Sequence, residues 1–224
     1  MKHIIQDCSL APASLERARR QNTSWDEFSK SDAGKELRQL KSDEQHGFYG
    51  YCESRLADAQ GTLPDGAAHI DHFYQKSRCP DKTYLWANLI LSCKRNDSCG
   101  FFKDRQNVLS EELLNPTEDD PRDYFVYTWN KAKGRIFISP MESLSETEQQ
   151  KAQRTIDALN LNCDRLCQAR GSVWWKFQAS VEFISDRQAG DDAAVLQALR
   201  EALEQEMEQG EYSSAMVCMA RDLW

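Results

Sequence analysis

The chain holds four histidines among 224 residues, and two of them flank an aspartate in "HIDHFYQKS", His69 to Ser77. Asn88 follows sixteen residues after His72, and "CGFFKD" runs from Cys99 to Asp104. Phosphodiester hydrolysis needs residues of these types. A hard divalent cation neutralises the phosphate and the leaving oxygen, and a base takes a proton from water. Asp71 suits the first task as a metal ligand. His72 suits the second, because an imidazole with a pKa near ~6.5 accepts a proton at cellular pH. Such a base works only with its second nitrogen held, as a backbone carbonyl of an adjoining loop can do, and Asn88 in "WANLILSC" is the candidate brace for that loop. Taken singly, each residue also has a structural reading, as a satisfied strand histidine or a turn asparagine. Their order and spacing as a set favour a nuclease site.

The elements that must position this set can be read around it. Asp71 and His72 fall on a short strand, with His69 two residues earlier on the same face as Asp71. A helix starting near Cys99 would carry Asp104 one turn on. Residues 1–45 read as an N-terminal helical arm, in which a short loop from Ser24 leads to a helix with Leu37 and Leu40 on one face. Residues 46–140 read as the core with a hairpin extension. They hold three of the four histidines, and "YFVYTW" and "RIFIS" flank the turn "NKAKG". Residues 141–224 read as helical, opened by a capping box in "SETE" and continued by "AAVLQALREALEQEMEQG" up to the stop at Gly210.

Composition narrows the function classes. With 40% hydrophobic residues the chain can build a core, and no apolar run approaches the ~20 residues of a membrane helix. The N-terminus lacks a secretory signal pattern, so a cytoplasmic protein without membrane association is expected. Eight irregularly spaced cysteines then read as free thiols or metal ligands. Cys163 and Cys167 could share a helix face as ligands, with small buried thiols as the commoner use of that spacing. A net charge of −8 excludes a protein that grips nucleic acid over its whole surface. Contact with nucleic acid must be local, with Lys103 near the scissile phosphate and Lys94 and Arg95 along the flanking backbone, or else these three are solvated loop residues.

Together, "EQHGFYGYCESRL", "HIDHFYQKS", "YLWANLILSC" and "CGFFKD" resemble the HNH, or ββα-metal, endonucleases, and among them the nuclease subunits of the Septu anti-phage systems. "SWDEF" and "TIDALNLNCDRLCQAR" extend the likeness over most of the chain. The resemblance implies an α+β fold: a small ββα-metal (HNH, treble-clef-like) nuclease core flanked by N- and C-terminal helices. It also implies a metal-dependent bacterial endonuclease using Mg2+ or Mn2+, working with an ABC-type ATPase subunit, PtuA, and in some systems with a retron reverse transcriptase and its msDNA.

Two positions depart from the family pattern. Tyr49 stands where relatives carry the first cysteine of a four-thiolate structural zinc site, leaving Cys52, Cys93 and Cys99. Either a fourth ligand comes from elsewhere, such as Cys79 or His46, or the zinc is lost and packing replaces it. Gly100 stands where the final histidine is expected, so the last metal ligand is Asp104 or its rival His69. These losses keep open an inactive HNH-shaped scaffold that assembles a defence complex. A Cys/His zinc-binding regulator of nucleic acid is a weaker reading. Retention of Asp71, His72 and Asn88 together favours the enzyme.

Overall fold

A computed structural model describes the chain except at residues 59, 65, 187–192 and 222–224. Three helices come first: α1 (Ala13–Arg20), α2 (Trp25–Lys30) and α3 (Asp32–Glu44). The stretch expected to be a loop from Ser24 is instead α2. The Ser24 side chain accepts the Glu27 N–H, satisfying one of the free donors of a new helix, and Ser31 caps α3 in the same way. The centre holds β1 (Ala68–His72), β2 (Leu89–Cys93) and the five-residue α4 (Cys99–Lys103). A second hairpin, β3 (Phe125–Asn130) and β4 (Arg135–Pro140), turns at Gly134, whose φ of 61° suits glycine. Four helices complete the described chain: α5 (Glu146–Leu159), α6 (Asp164–Asp186), α7 (Ala193–Gln209) and α8 (Ser213–Arg221). Ser145 and Glu148 form the capping box that opens α5. The fold is therefore α+β, and α4 packs on both strands of the first hairpin. Among the described residues, no helix is long and apolar enough to cross a membrane.

Strand alternation decides what each face of the first hairpin meets. β1 and β2 pair antiparallel, with Ile70 opposite Leu91 and Asp71 opposite Ile90. Ile70, Leu89 and Leu91 point to a core shared with Leu15, Phe28 and Leu37 of the N-terminal helices. Ile90, Cys93 and Cys99 belong to the larger core, which reaches through the second hairpin to Met216 and Ala220 of α8. Residues of the first two segments meet in both cores, and those of the last meet the larger one. Successive side chains point to opposite faces, so Asp71 faces α4 while His72 faces the N-terminal helices. Both can serve one site only at the end of the strand, where His72 lies.

The second hairpin is locked onto α6 by a close approach. Arg170 donates from Nη2 to the Leu161 carbonyl at 2.6 Å and from Nη1 to that of Ile136 at 3.3 Å. At the next residue, a Cβ on Gly171 would lie 2.1 Å from the Gly134 carbonyl oxygen and 2.9 Å from the Trp129 ring. Backbone cannot yield as a flexible side chain would. Gly171→Ala is expected to destabilise the fold by about 3 kcal/mol, lowering the thermal midpoint by roughly 6–12 °C; a melt followed by circular dichroism checks this.

Candidate active site

Asp71 is buried, with 1% of its surface exposed, at the junction of β1, α4 and the loop before Cys52. Tyr51 donates its hydroxyl to Asp71 Oδ2 at 2.5 Å. Burial first, and then the Asp71 charge, push the Tyr51 hydroxyl well above its usual value, so it remains a donor. Asp71 Oδ1 has no hydrogen-bond partner and faces Lys103 Nζ at 3.4 Å. Lys103 also donates to Asp104 Oδ1 at 2.9 Å. Burial would lower the Lys103 ammonium, but Asp71 and then Asp104 outweigh it and hold it above its usual value. Asp104, half-exposed at the end of α4, is raised by partial desolvation and then by the Asp71 charge.

Gly100 follows from this crowding. A Cβ there would sit 2.8 Å from Asp71 Oδ1 and 3.0 Å from Ser92 Oγ, the atom that accepts the Gly100 N–H. A side chain at the position where a final histidine is expected would have to displace the Asp71 carboxylate. His69, on the Asp71 face of β1, stacks its ring on Phe101 at 4.0 Å, and both ring nitrogens are buried without a partner. Desolvation lowers its pKa.

The His72 environment is built by the loop between the strands. His72 Nε2 lies 3.0 Å from the Thr83 carbonyl oxygen. A carbonyl only accepts, so Nε2 carries the proton and Nδ1 keeps its lone pair. Asn88 spans the same loop: its Oδ1 accepts the Tyr74 N–H at 2.6 Å, and its Nδ2 donates to the carbonyls of Tyr74 and Lys82 at 3.1 and 3.0 Å. Trp25 of α2 packs edge-on against the His72 ring at 4.3 Å.

Burial, and then Lys76, push His72 down to about 4. The unfolded chain therefore takes up a proton near pH 6.5 that the folded chain refuses. This contribution to stability is complete above pH 6.5 and declines as the pH falls toward 4, by up to ~3 kcal/mol. The urea midpoint is expected to fall across that window, and to fall less in His72→Phe.

Among the described residues, the one set of at least three His, Cys, Asp or Glu side chains with donor atoms gathered within 4.8 Å is Cys52, Cys93 and Cys99. Hydrogen bonds from Cys93 and Cys99 hold the Cys52 thiol well below its usual value, Cys93 is pushed up to about 11, and Cys99 well above its usual value. Neither suggested fourth ligand joins the three cysteines: His46 is exposed and Cys79 lies outside the set. Tyr49 instead donates its hydroxyl to the Ala67 carbonyl at 2.8 Å. The loop from Cys93 to Cys99 is clamped from outside, as Arg165 of α6 holds the Asp97 carboxylate at 2.9 and 3.0 Å and Asn160 donates to the Asp97 carbonyl at 2.8 Å. Cys167 is buried and donates to the Asn162 carbonyl at 3.4 Å, and Cys163 does not join it in a metal-holding group.

A groove of about 720 Å³ opens over the site, lined by Trp25, His69, His72, Lys76, Lys94 and Asp104 among others. Lys94 therefore sits where a backbone phosphate could pass, and Arg95 is exposed on the adjoining loop. Lys103 differs from expectation: its side chain is 3% exposed, because two carboxylates draw the ammonium inward, and it does not face the groove. Asp71, Asp104 and His69 do not converge as a ready set of donors, since Lys103 stands between the two carboxylates. Trp25, Tyr51 and Lys76 were not anticipated. Each lies in a stretch that carries the family likeness, Trp25 in "SWDEF", Tyr51 in "EQHGFYGYCESRL" and Lys76 in "HIDHFYQKS".

The donor chemistry nevertheless suits a hard cation, with two carboxylates and a buried Asp71 Oδ1 that lacks a hydrogen-bond partner. No family model matches the chain. It is 29% identical over 133 residues to the Septu protein PtuB of Bacillus thuringiensis, which covers 59% of this chain and 44% of that protein. The chain thus spans less than half the length of this relative. It is 27% identical over 199 residues to a retron Ec83 protein of Escherichia coli whose name places it with the HNH endonucleases, covering 72% of this chain and 74% of that protein. With its strand, strand and helix around Asp71 and His72, the chain is similar to the Septu protein PtuB and to the retron protein named as an HNH endonuclease.

Proposed function

We propose that the chain is a metal-dependent endonuclease subunit that hydrolyses phosphodiester bonds in anti-phage defence. The observation that carries this reading is the state of His72: Nε2 is committed to the Thr83 carbonyl on a loop tied by Asn88, which leaves Nδ1 as a proton acceptor on a groove. A structural histidine needs no such arrangement. Asp71 with Asp104, or with His69, would hold Mg2+ or Mn2+, which when bound neutralises charge on the phosphate and the leaving oxygen.

The protein's own groups do the rest. His72 Nδ1 takes the proton of the attacking water. Its low value makes it neutral at pH 7, and an arriving phosphate raises its basicity through the added negative charge. Asn88 keeps the loop, and with it the imidazole, in one orientation. Lys76 and Lys94 line the groove along which the nucleic-acid backbone lies. An acidic chain of net charge −8 binds nucleic acid poorly alone. Delivery by an ABC-type ATPase partner, as the Septu likeness suggests, would supply the missing attraction, with a retron reverse transcriptase and its msDNA as a further partner. The three cysteines serve as a packed cluster, for no fourth His, Cys, Asp or Glu donor of a tetrahedral zinc joins them among the described residues.

A second reading, an inactive scaffold, draws on one observation: Lys103 occupies the space between the two carboxylates. Cleavage assays on DNA and on RNA, with Mg2+ or Mn2+ and with or without the ATPase partner, separate the two. Cutting that disappears with His72→Ala supports the nuclease. No cutting of either substrate under any condition supports the scaffold.

A further inference from the structure

The candidate metal site already contains a cation. Lys103 Nζ meets three oxygens, Asp104 Oδ1 at 2.9 Å, Asp71 Oδ1 at 3.4 Å and the His72 carbonyl at 3.4 Å. Two carboxylates and a carbonyl are the ligands a hard divalent ion takes. Gly100 belongs to the same arrangement, because any side chain there would strike the Asp71 carboxylate. The lysine is not bound as tightly as its burial suggests. Its approach to Asp71 Oδ1 is an ion pair at 3.4 Å and not a hydrogen bond, so that oxygen is left without a hydrogen-bond partner. Its other carboxylate, Asp104, is half-exposed, so the ammonium has a route toward the groove.

Accepting the nuclease reading of this site, we propose that Lys103 is its resident counter-ion and exchanges with the divalent cation. The two cannot share the space between Asp71 and Asp104, since an ammonium within contact distance of a divalent ion is repelled in a region where screening is weak. Metal entry therefore expels the Lys103 ammonium, and metal affinity is the balance of the two. The exchange explains how an aspartate can be buried and paired in one state and act as a ligand in another. It also keeps the site closed when metal is scarce.

Two measurements on the full chain test this without any substrate. Calorimetric titration with Mn2+ should show at least tenfold tighter binding to Lys103→Met than to the wild type, and adding Asp71→Asn should remove the gain. Equal or weaker binding to Lys103→Met, or a tight site that survives Asp71→Asn, overturns the proposal. A lysine that merely supported the fold would give weaker binding when lost. The second measurement uses the wild type, in case the variant folds poorly. Acylation of Lys103 by an amine-reactive ester, read by peptide mass spectrometry, should be slow in metal-free buffer and rise severalfold with Mn2+. Labelling that Mn2+ leaves unchanged also overturns the proposal. Because neither readout involves cutting, a chain that shows the exchange but cleaves nothing would sink the nuclease reading and leave the exchange standing.

Discussion

Replacing His72 with alanine is expected to slow strand cutting by about three orders of magnitude, within the range typical of losing a general base. The loss should appear in the single-turnover rate rather than in substrate binding, because the groove lysines that meet the backbone are untouched. Nicking of a supercoiled plasmid, or of a labelled RNA if RNA is the substrate, provides the measurement. The fold should survive, since the substitution removes one hydrogen bond to Thr83 and one ring contact with Trp25. Asn88→Ala offers a graded comparison. It leaves the imidazole in place but removes three hydrogen bonds that tie its loop, so cutting should fall by a smaller factor. If His72→Ala cuts like the wild type, no role remains for the Thr83 contact and the assignment of His72 as the base fails.

Asp71→Asn should both weaken the resting fold and abolish cutting. The substitution preserves shape and still accepts the Tyr51 hydroxyl, but it removes a charge facing Lys103 at 3.4 Å in a region that is almost fully buried. Lys103 then keeps only the half-exposed Asp104 as its carboxylate partner, at a cost of about 2 kcal/mol. Urea unfolding should show this as a lower midpoint with an unchanged slope. Combining Asp71→Asn with Lys103→Met should recover part of the loss, since the one charge left without its partner is then the half-exposed Asp104. Additive losses would mean that the two residues do not act on each other. Cutting should be lost in both Asp71→Asn proteins, as each lacks the carboxylate placed to hold the cation.

The α+β class was legible because its signals are local. The Ser145 to Glu148 box opens α5, and the "NKAKG" turn joins two β-rich runs whose pairing runs from Phe125 with Pro140 to Asn130 with Arg135. Helix α6 left no comparable trace. It buries Leu166, Arg170, Trp174 and Val181 yet exposes Trp175 and Phe183, so no clean apolar stripe marks it. Around the site, the spacing of Asp71, His72 and Asn88 was readable, whereas their partners were not. Tyr51 meets Asp71 across 20 positions, and Trp25 reaches His72 from a separate helix. Lys103 is the clearest case. From its neighbours in sequence it reads as a solvent-facing phosphate contact, and only the tertiary placement of Asp71 turns it inward. Such pairings arise from packing between elements, which single-sequence periodicity does not encode.

The clamp on Asp97 has a consequence for the neighbouring cysteines. In small zinc domains the metal orders the loop, so ion uptake and folding are one event and a chelator unfolds the domain. Here Arg165 and Asn160 already hold the loop between Cys93 and Cys99 in place. The ordering is done by the helices, so chelation should leave the melting curve unmoved. The cluster is then free to differ chemically among proteins with this clamp, since its shape no longer depends on what it binds.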